Sequence, residues 1–268
     1  MGLIAVGDPV FNLTVRDKYI DWNVKDRGRR LVNVLDAYVL GSVPPYNQLL
    51  CGKLIACLLR TRELYGDFRN EYGRTTGIIS RKKKQARLLA ITTTSSMGRS
   101  SVYNRLKLGG IECLKSIGYT RGWGHFHIPE SIFTEIRDFL RKINHPYADL
   151  HKFGQGPNWK LRTTRAALDE LGYEMDLLKH GVGREVFIAE LAKNSLKILK
   201  TGKGKPEISS LLDVDEVSEL ALNRWVIPRS LSRLDYTVWN NQNIESLVLN
   251  SYPMNPSEAF TTEYGVHK

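Results

Sequence analysis

The chain has few cysteines and no long apolar run. Its three cysteines, Cys51, Cys57 and Cys113, stand in apolar surroundings and lack the short spacing of a zinc site. Few cysteines, and an odd number of them, fit a reducing compartment, and we expect a cytoplasmic protein with buried thiols. No segment is apolar over the length that spans a membrane, and Met1 leads into strand-like sequence instead of a signal peptide. We therefore expect neither membrane association nor secretion.

Several catalytic signatures are missing as well. The sequence has no Ser–His–acid pattern, no nuclease-type series of carboxylates, no deaminase cysteine pair and no Walker motif. It also has no internal repeat. Whether the chain is an enzyme stays open at this stage, and any cofactor is unknown.

Positive charge, in contrast, is abundant. The chain has 39 Lys and Arg residues against 28 Asp and Glu residues, which gives a formal net charge of +11. Such a surplus favours a polyanionic partner, above all DNA or RNA bound through its phosphates. A solubilising surface without a specific partner is the alternative. The predicted nucleic-acid contacts are Arg81, Lys82, Lys83, Lys84, Arg105, Lys160, Arg162 and Arg165.

The order of apolar segments predicts an α/β or α+β fold, with a mixed central sheet flanked by helices. We expect a core domain over residues 1–200 and a helical extension with a polar, partly extended tail over 201–268. Alternation over Val10–Asp17 predicts a strand, and the basic stretch 66–87 predicts a loop. The main predicted strands are 31–40, 88–94 and 184–191, and the main predicted helices are 47–62, 131–143 and 159–171.

The stretch Leu88–Leu108 predicts a binding site. A buried strand leads through the hydroxyl-rich turn Thr92–Ser96 into a predicted helix over 99–108. Ligands of open α/β sheets bind at the carboxyl ends of strands, where helix N-termini offer free N–H groups. Tyr103 is a candidate proton donor and Arg105 a candidate anion ligand, although Tyr103 packing on the sheet is an equal alternative.

Three further candidates lie elsewhere. His125 and His127 alternate on a predicted strand, so both would face one side and act as acid/base groups, with a metal site as the weaker alternative. Asp17 is a candidate catalytic carboxylate, with a structural pair to Arg16 as the alternative. The Gly-rich loop before Trp159 is a candidate anion site.

Four runs of the sequence together resemble a known family: RDKYIDW (16–22), RRLVNVLDAYVL to PPYNQLLCGKLIA (29–56), GRSSVYNRL (98–106) and REVFIAEL (184–191). They resemble the bacterial domain family named after DruA of the Druantia anti-phage system, over roughly residues 8 to 200. The resemblance implies an anti-phage defence protein that has other defence proteins as possible partners.

The resemblance also implies a GNAT-like core, because strand 31–40, helix 47–62, strand 88–94 and helix 99–108 follow the order of GNAT acyltransferases. The loop GSVPPYNQ (41–48) departs from that pattern, since it lacks a glycine-rich pyrophosphate-binding sequence. The alternative functions are therefore a GNAT-like transferase or other nucleic-acid-modifying enzyme, and a scaffold whose basic face meets an acidic protein.

Overall fold

The computed structural model describes residues 1–76, 83–84, 86–96, 98, 100, 102–125, 127–149 and 159–240. The strands are β1 (Gly2–Gly7), β2 (Val34–Ser42), β3 (Thr75–Thr76), β4 (Lys83–Lys84), β5 (Ala90–Ser95), β6 (Lys107–Leu108), β7 (Ile111–Glu112), β8 (Lys115–Tyr119) and β9 (Glu185–Glu190). The α-helices are α1 (Thr14–Ile20), α2 (Val24–Arg30), α3 (Cys51–Cys57), α4 (Arg62–Tyr72), α5 (Glu130–Lys142), α6 (Trp159–Glu170), α7 (Ser195–Thr201), α8 (Val214–Ala221) and α9 (Ile227–Ser232).

Five strands form the central sheet, in the order β1-β2-β5-β9-β8. The β2–β5 pair is parallel and the other three pairs are antiparallel, so the sheet is mixed. The central strand β5 is flanked on both edges and begins with the fully buried Ala90 and Ile91. This burial explains the apolar run Leu88–Ile91 that leads into β5. Thr92–Ser95 continue the strand instead of forming the predicted hydroxyl-rich turn.

Helices cover both faces of the sheet. On one face, Ile91 and Phe187 pack with Leu54 of α3. On the other face, Ala90 packs with Ile198 of α7, in a cluster that α1 also joins. Neighbouring residues of a strand therefore enter different clusters, as the two-residue period of a strand requires. The predicted mixed sheet flanked by helices is confirmed.

The chain beyond residue 200 adds helices to the first of these faces. Val217 and Ala221 of α8 pack into the same core as Leu54, and Asp213 opens α8 through a capping box with Glu216. The division into 1–200 and 201–268 stays a prediction. Within the predicted extension and tail, the chain is still helical over Ile227–Ser232, because proline, here Pro228, is accepted in the first turn of a helix.

A helical insertion separates β8 from β9. Its helices α5 and α6 pack around the buried Leu140, Ala148 and Ala167. Both helices were predicted from the sequence, over 131–143 and 159–171, and both are confirmed. No helix among the described residues is long and apolar enough to cross a membrane.

Three local predictions are wrong. Residues 14–20 form helix α1 instead of continuing a strand over Val10–Asp17, because the buried Arg16 and Asp17 belong to one helical turn. The predicted loop 66–87 begins too early, since Thr61 caps α4 and this helix continues to Tyr72. The chain after Tyr119 is irregular up to α5, so His125 and His127 do not share a strand.

The predicted helix over 99–108 is also wrong. The Ser100 carbonyl accepts hydrogen bonds from the amides of Tyr103 and Asn104, which makes a single turn. Arg105 then has a φ of 58°, in the left-handed region, and the backbone cannot continue as a right-handed helix. The short strand β6 follows instead.

Candidate functional site

A basic cavity lies beside the turn that follows β5. Its volume is about 260 Å3. Four cations from three separate parts of the chain line it together with one tryptophan, and we name it the Trp225 cavity. These residues are Lys53, Arg105, Lys107, Arg224 and Trp225.

The charge of the Trp225 cavity is not balanced by acidic groups. No Asp or Glu is among the described residues that line it. Within the part of the chain that the structure describes, none of its four cations forms an ion pair. Lys53 Nζ lies 5.5 Å and Arg224 Cζ 5.4 Å from the centre of the Trp225 ring. Several unpaired cations around one concave surface favour an anionic ligand.

Each wall of the cavity comes from a different element. Lys53 projects from the first half of α3, whose other side is buried against the sheet. Arg105 and Lys107 belong to the turn and to β6. Arg224 and Trp225 lie on a π-helical segment, Leu222–Val226, which joins α8 to α9. Single π-helical turns occur frequently at functional sites.

A buried carboxylate holds the turn that presents Arg105. Glu185, at the start of β9, is only 5% exposed and accepts hydrogen bonds from Asn104 Nδ2 at 3.2 and 3.3 Å and from Ser116 Oγ at 2.5 Å. Asn104 Oδ1 in turn accepts the Ser100 amide at 2.9 Å. The position of Arg105 is therefore fixed by the sheet, although its own side chain is exposed.

Tyr103 is a core residue. It is buried, its hydroxyl donates to the Leu40 carbonyl at 2.8 Å, and its ring lies 5.4 Å from that of Phe187. Burial raises the pKa of this phenol above its ordinary value. The structure thus places the candidate proton donor against the sheet, in the packing arrangement that the sequence left as the alternative.

Asp17 lies on α1, which packs on the opposite face of the sheet from α3. It forms ion pairs with Arg16 at 2.7 Å and with Arg27 at 2.5 Å. Arg16 is fully buried, and burial lowers its pKa. Asp17 is therefore the structural partner of two arginines and is remote from the Trp225 cavity.

His125 and His127 belong to the insertion. His125 is half-buried, and its pKa is lowered first by burial and then by the charge of Lys160. His127 is exposed, with Nε2 3.2 Å from the Leu177 carbonyl oxygen and its ring 6.0 Å from that of His180. Among the described residues, no group of three or more His, Cys, Asp or Glu side chains could hold a metal ion.

The other predicted cations are distributed over the surface. Lys160 on α6 is engaged in an ion pair with Glu130, whereas Arg162 and Arg165 on the same helix are exposed. Lys83 and Lys84 form strand β4. Arg81, Lys82 and the loop 151–158 lie outside the described residues. Of the predicted nucleic-acid contacts that the structure describes, Arg105 is thus the one that lines the Trp225 cavity.

Sequence reasoning missed four residues of the cavity: Lys53, Lys107, Arg224 and Trp225. Lys53 is the only charged residue in the segment 51–57, and an isolated cation in an apolar helix was an available signal. The pair Arg224–Trp225 carries no local motif. Its position beside Arg105 depends on packing between segments about 120 residues apart in the sequence.

The site belongs to a mixed-sheet domain with an unneutralised basic cavity at one end of its central strand. The sequence model described as Druantia protein DruA matches residues 1–201, and the chain belongs to this family. Druantia protein DruA of Escherichia coli (strain UMEA 4076-1) is 62% identical to it over 250 residues. The alignment covers 93% of this chain but only 62% of that relative's length. No solved structure matches the chain.

Proposed function

We propose that the chain acts in anti-phage defence and binds nucleic acid through the Trp225 cavity. Its membership in the DruA family supports the defence role. The observation that carries the binding role is the set of four cations without acidic partners among the described residues. The partners of the chain are then nucleic acid and the other proteins of its defence system.

The chemistry of the cavity suits phosphate groups. Arg105 and Arg224 offer guanidinium forks that match two phosphate oxygens, and Lys53 and Lys107 add compact charges. Cations that neutralise phosphates release the counterions condensed on a nucleic acid, and this release drives binding. Because no carboxylate of the cavity competes for these cations, an incoming phosphate does not have to break an ion pair.

A pair of matched double variants tests this proposal. Arg105→Gln with Lys107→Gln removes two charges from the cavity. Lys25→Gln with Arg29→Gln removes the same charge from exposed positions of α2, which is bonded to α7 on the other face of the sheet through Arg30. The measurement is the affinity for a labelled oligonucleotide, by fluorescence anisotropy, at several salt concentrations.

The two variants are expected to differ in their salt dependence. Each lost phosphate contact reduces the slope of log affinity against log salt by about 0.7 to 0.9. The cavity variant should therefore lose up to about 1.4 to 1.8 in slope, while the α2 variant keeps the slope of the wild type. Equal losses in both variants would show that only net charge matters, and absence of binding to any nucleic acid at low salt would contradict the proposal.

The defence role needs a separate experiment in cells. Bacteria that carry the complete defence system are challenged with phage, and the efficiency of plaque formation is measured for wild type and for both double variants. We expect the cavity variant to lose protection at unchanged protein level and the α2 variant to retain it. Full protection with the cavity variant would separate defence from nucleic-acid binding at this site.

A GNAT-like transferase activity stays a prediction. Acyl-CoA needs backbone amides for its pyrophosphate, and the loop before α3 is where the resemblance expects them. The amides of Val43, Asn47 and Gln48 donate instead to the carbonyls of Met1, Val43 and Pro45. A rise in melting temperature with acetyl-CoA would support that activity, because a ligand that binds only the folded state stabilises it.

A further inference from the structure

Trp225 is an unusual wall for a site that only holds phosphates. Its indole is half-buried, packing on one side against the main core and bordering the cavity on the other. Phosphates need cations and N–H donors, and they gain little from an aromatic surface. An aromatic ring surrounded by cations is typical of sites that stack a base and hold its backbone at the same time.

The recessed position of the ring argues against a duplex as the ligand. In a duplex the bases are stacked on one another, and only their edges are reachable through the grooves. Trp225 lines a cavity, between α3 on one side and the turn with Arg105 on the other, and does not protrude from the surface. A ring in this position can stack only on a base that has left its own stack.

The polar groups of the cavity do not favour one base. The side-chain amide of Asn104, which would suit a base edge, is occupied by Ser100 on one side and by Glu185 on the other. The Ser100 hydroxyl accepts the Val102 amide at 3.2 Å, and the other polar side chains among the described residues of the cavity are cations, which are suited to phosphates. Stacking without edge recognition tolerates any base.

Resting on the proposed function, we infer that the Trp225 cavity binds single-stranded nucleic acid by stacking one unpaired base on Trp225, without base specificity. The surrounding cations hold the adjacent phosphates. The ligand class is thus a single strand or the unpaired end of a duplex, of DNA or of RNA.

The experiment compares four probes of equal length: oligo-dT, its RNA counterpart oligo-U, an abasic strand with the same phosphates, and a blunt duplex. The protein is the full chain as wild type, Trp225→Leu and Trp225→Phe. Leucine retains apolar packing but removes the aromatic face, whereas phenylalanine retains a stacking surface. Circular dichroism and melting curves report whether each variant folds, and the affinity for the abasic strand reports whether its phosphate contacts remain.

Wild type should bind oligo-dT or oligo-U about 5- to 150-fold more tightly than the abasic strand, the range of one stacked base. Trp225→Leu should bind both strands alike with unchanged affinity for the abasic one, and Trp225→Phe should keep part of the preference. Equal binding of base-bearing and abasic strands by the wild type, or equal binding of the duplex, would overturn the inference and leave the proposed function intact. Binding to none of the probes would overturn both.

Discussion

The ion pairs of Asp17 offer a test of the structural assignments, because replacement of this residue by asparagine should strongly lower the free energy of unfolding. Asp17 Oδ1 accepts Arg16 Nε at 2.9 Å and Nη2 at 2.7 Å, and Oδ2 accepts Arg27 Nη1 at 2.5 Å. Arg16 Nη1 also donates to the Val10 carbonyl, and Arg16 Nη2 to the Phe11 carbonyl. Asparagine keeps the shape of the side chain but deprives both guanidinium groups of the carboxylate that they share.

The cost of Asp17→Asn follows from burial. The side chain of Arg16 is 0% exposed, and those of Asp17 and Arg27 are 8% and 11% exposed. Removal of one partner from a buried ion pair costs about 3 to 5 kcal/mol, because the other charge stays buried without compensation. Asp26→Asn is the matched control, since Asp26 pairs with Arg30 on the neighbouring helix α2 in a more exposed position, and its loss should cost less than about 1 kcal/mol.

The assay is urea denaturation followed by circular dichroism, which gives the free energy of unfolding of wild type, Asp17→Asn and Asp26→Asn. We expect a large decrease for the first variant and a small one for the second. If Asp17 were a catalytic carboxylate, as one sequence interpretation proposed, Asp17→Asn would be as stable as the wild type and only its activity would fall. That result would refute the structural assignment.

Three further predictions concern single side chains. Arg105→Gly should raise the free energy of unfolding by up to about 1 kcal/mol, because glycine accepts the left-handed φ of 58°, and should weaken oligonucleotide binding; a less stable variant would contradict this. Tyr103→Phe should cost about 0.5 to 1.5 kcal/mol, since the Leu40 carbonyl loses its donor, and should leave nucleic-acid binding unchanged; lost binding would restore Tyr103 as a site residue. Burial raises the pKa of Asp36, so its stability contribution falls as pH rises from about 4 through the folded-state value. Asp36→Asn, which can still accept from Thr92, should therefore be more stable than wild type at pH 7 and equal to it at low pH in urea titrations; lower stability at pH 7 would be inconsistent with this cause.

The parts of the fold that could be predicted from the sequence are those with strong local patterns. The runs 88–91, which leads into β5, and 186–189, in β9, are apolar throughout because they are buried on both faces, and α5 shows apolar residues at helical spacing. The surplus of Lys and Arg over Asp and Glu likewise follows from composition alone. Burial and charge of this kind are visible in the residue types of the segment itself.

The errors arise where tertiary contacts decide the local conformation. The segment with Tyr103 has a helix-like composition. However, the Tyr103 hydroxyl donates to the Leu40 carbonyl and Asn104 donates to Glu185, and the segment forms a single turn. After β8, the backbone at Gly122 packs closely on that of Val182: a Cβ atom on residue 122 would lie 2.9 Å from the Val182 amide nitrogen. Strand β8 has ended by this point, before the two histidines. No local pattern reports such contacts.

Only part of the candidate site could be predicted from the sequence, for the same reason. The segment 88–108 was identified by its strand and turn, and the structure places Arg105 at the cavity edge. The opposite wall, with Arg224 and Trp225, comes from a π-helical segment beyond residue 201, where the family match ends. The packing of α8 against α3 and β6 brings the two walls together.

The most direct test of the account is photo-crosslinking of a single strand that carries 5-iodouracil, followed by mass spectrometry of the tryptic peptides. The central claim is that nucleic acid lies in the Trp225 cavity, so the crosslink should fall on the peptide 225–229, which begins with Trp225 and ends at Arg229. The yield should fall when Arg105 and Lys107 are both replaced by glutamine. Crosslinks confined to α6, or the same yield from that variant, would contradict the account.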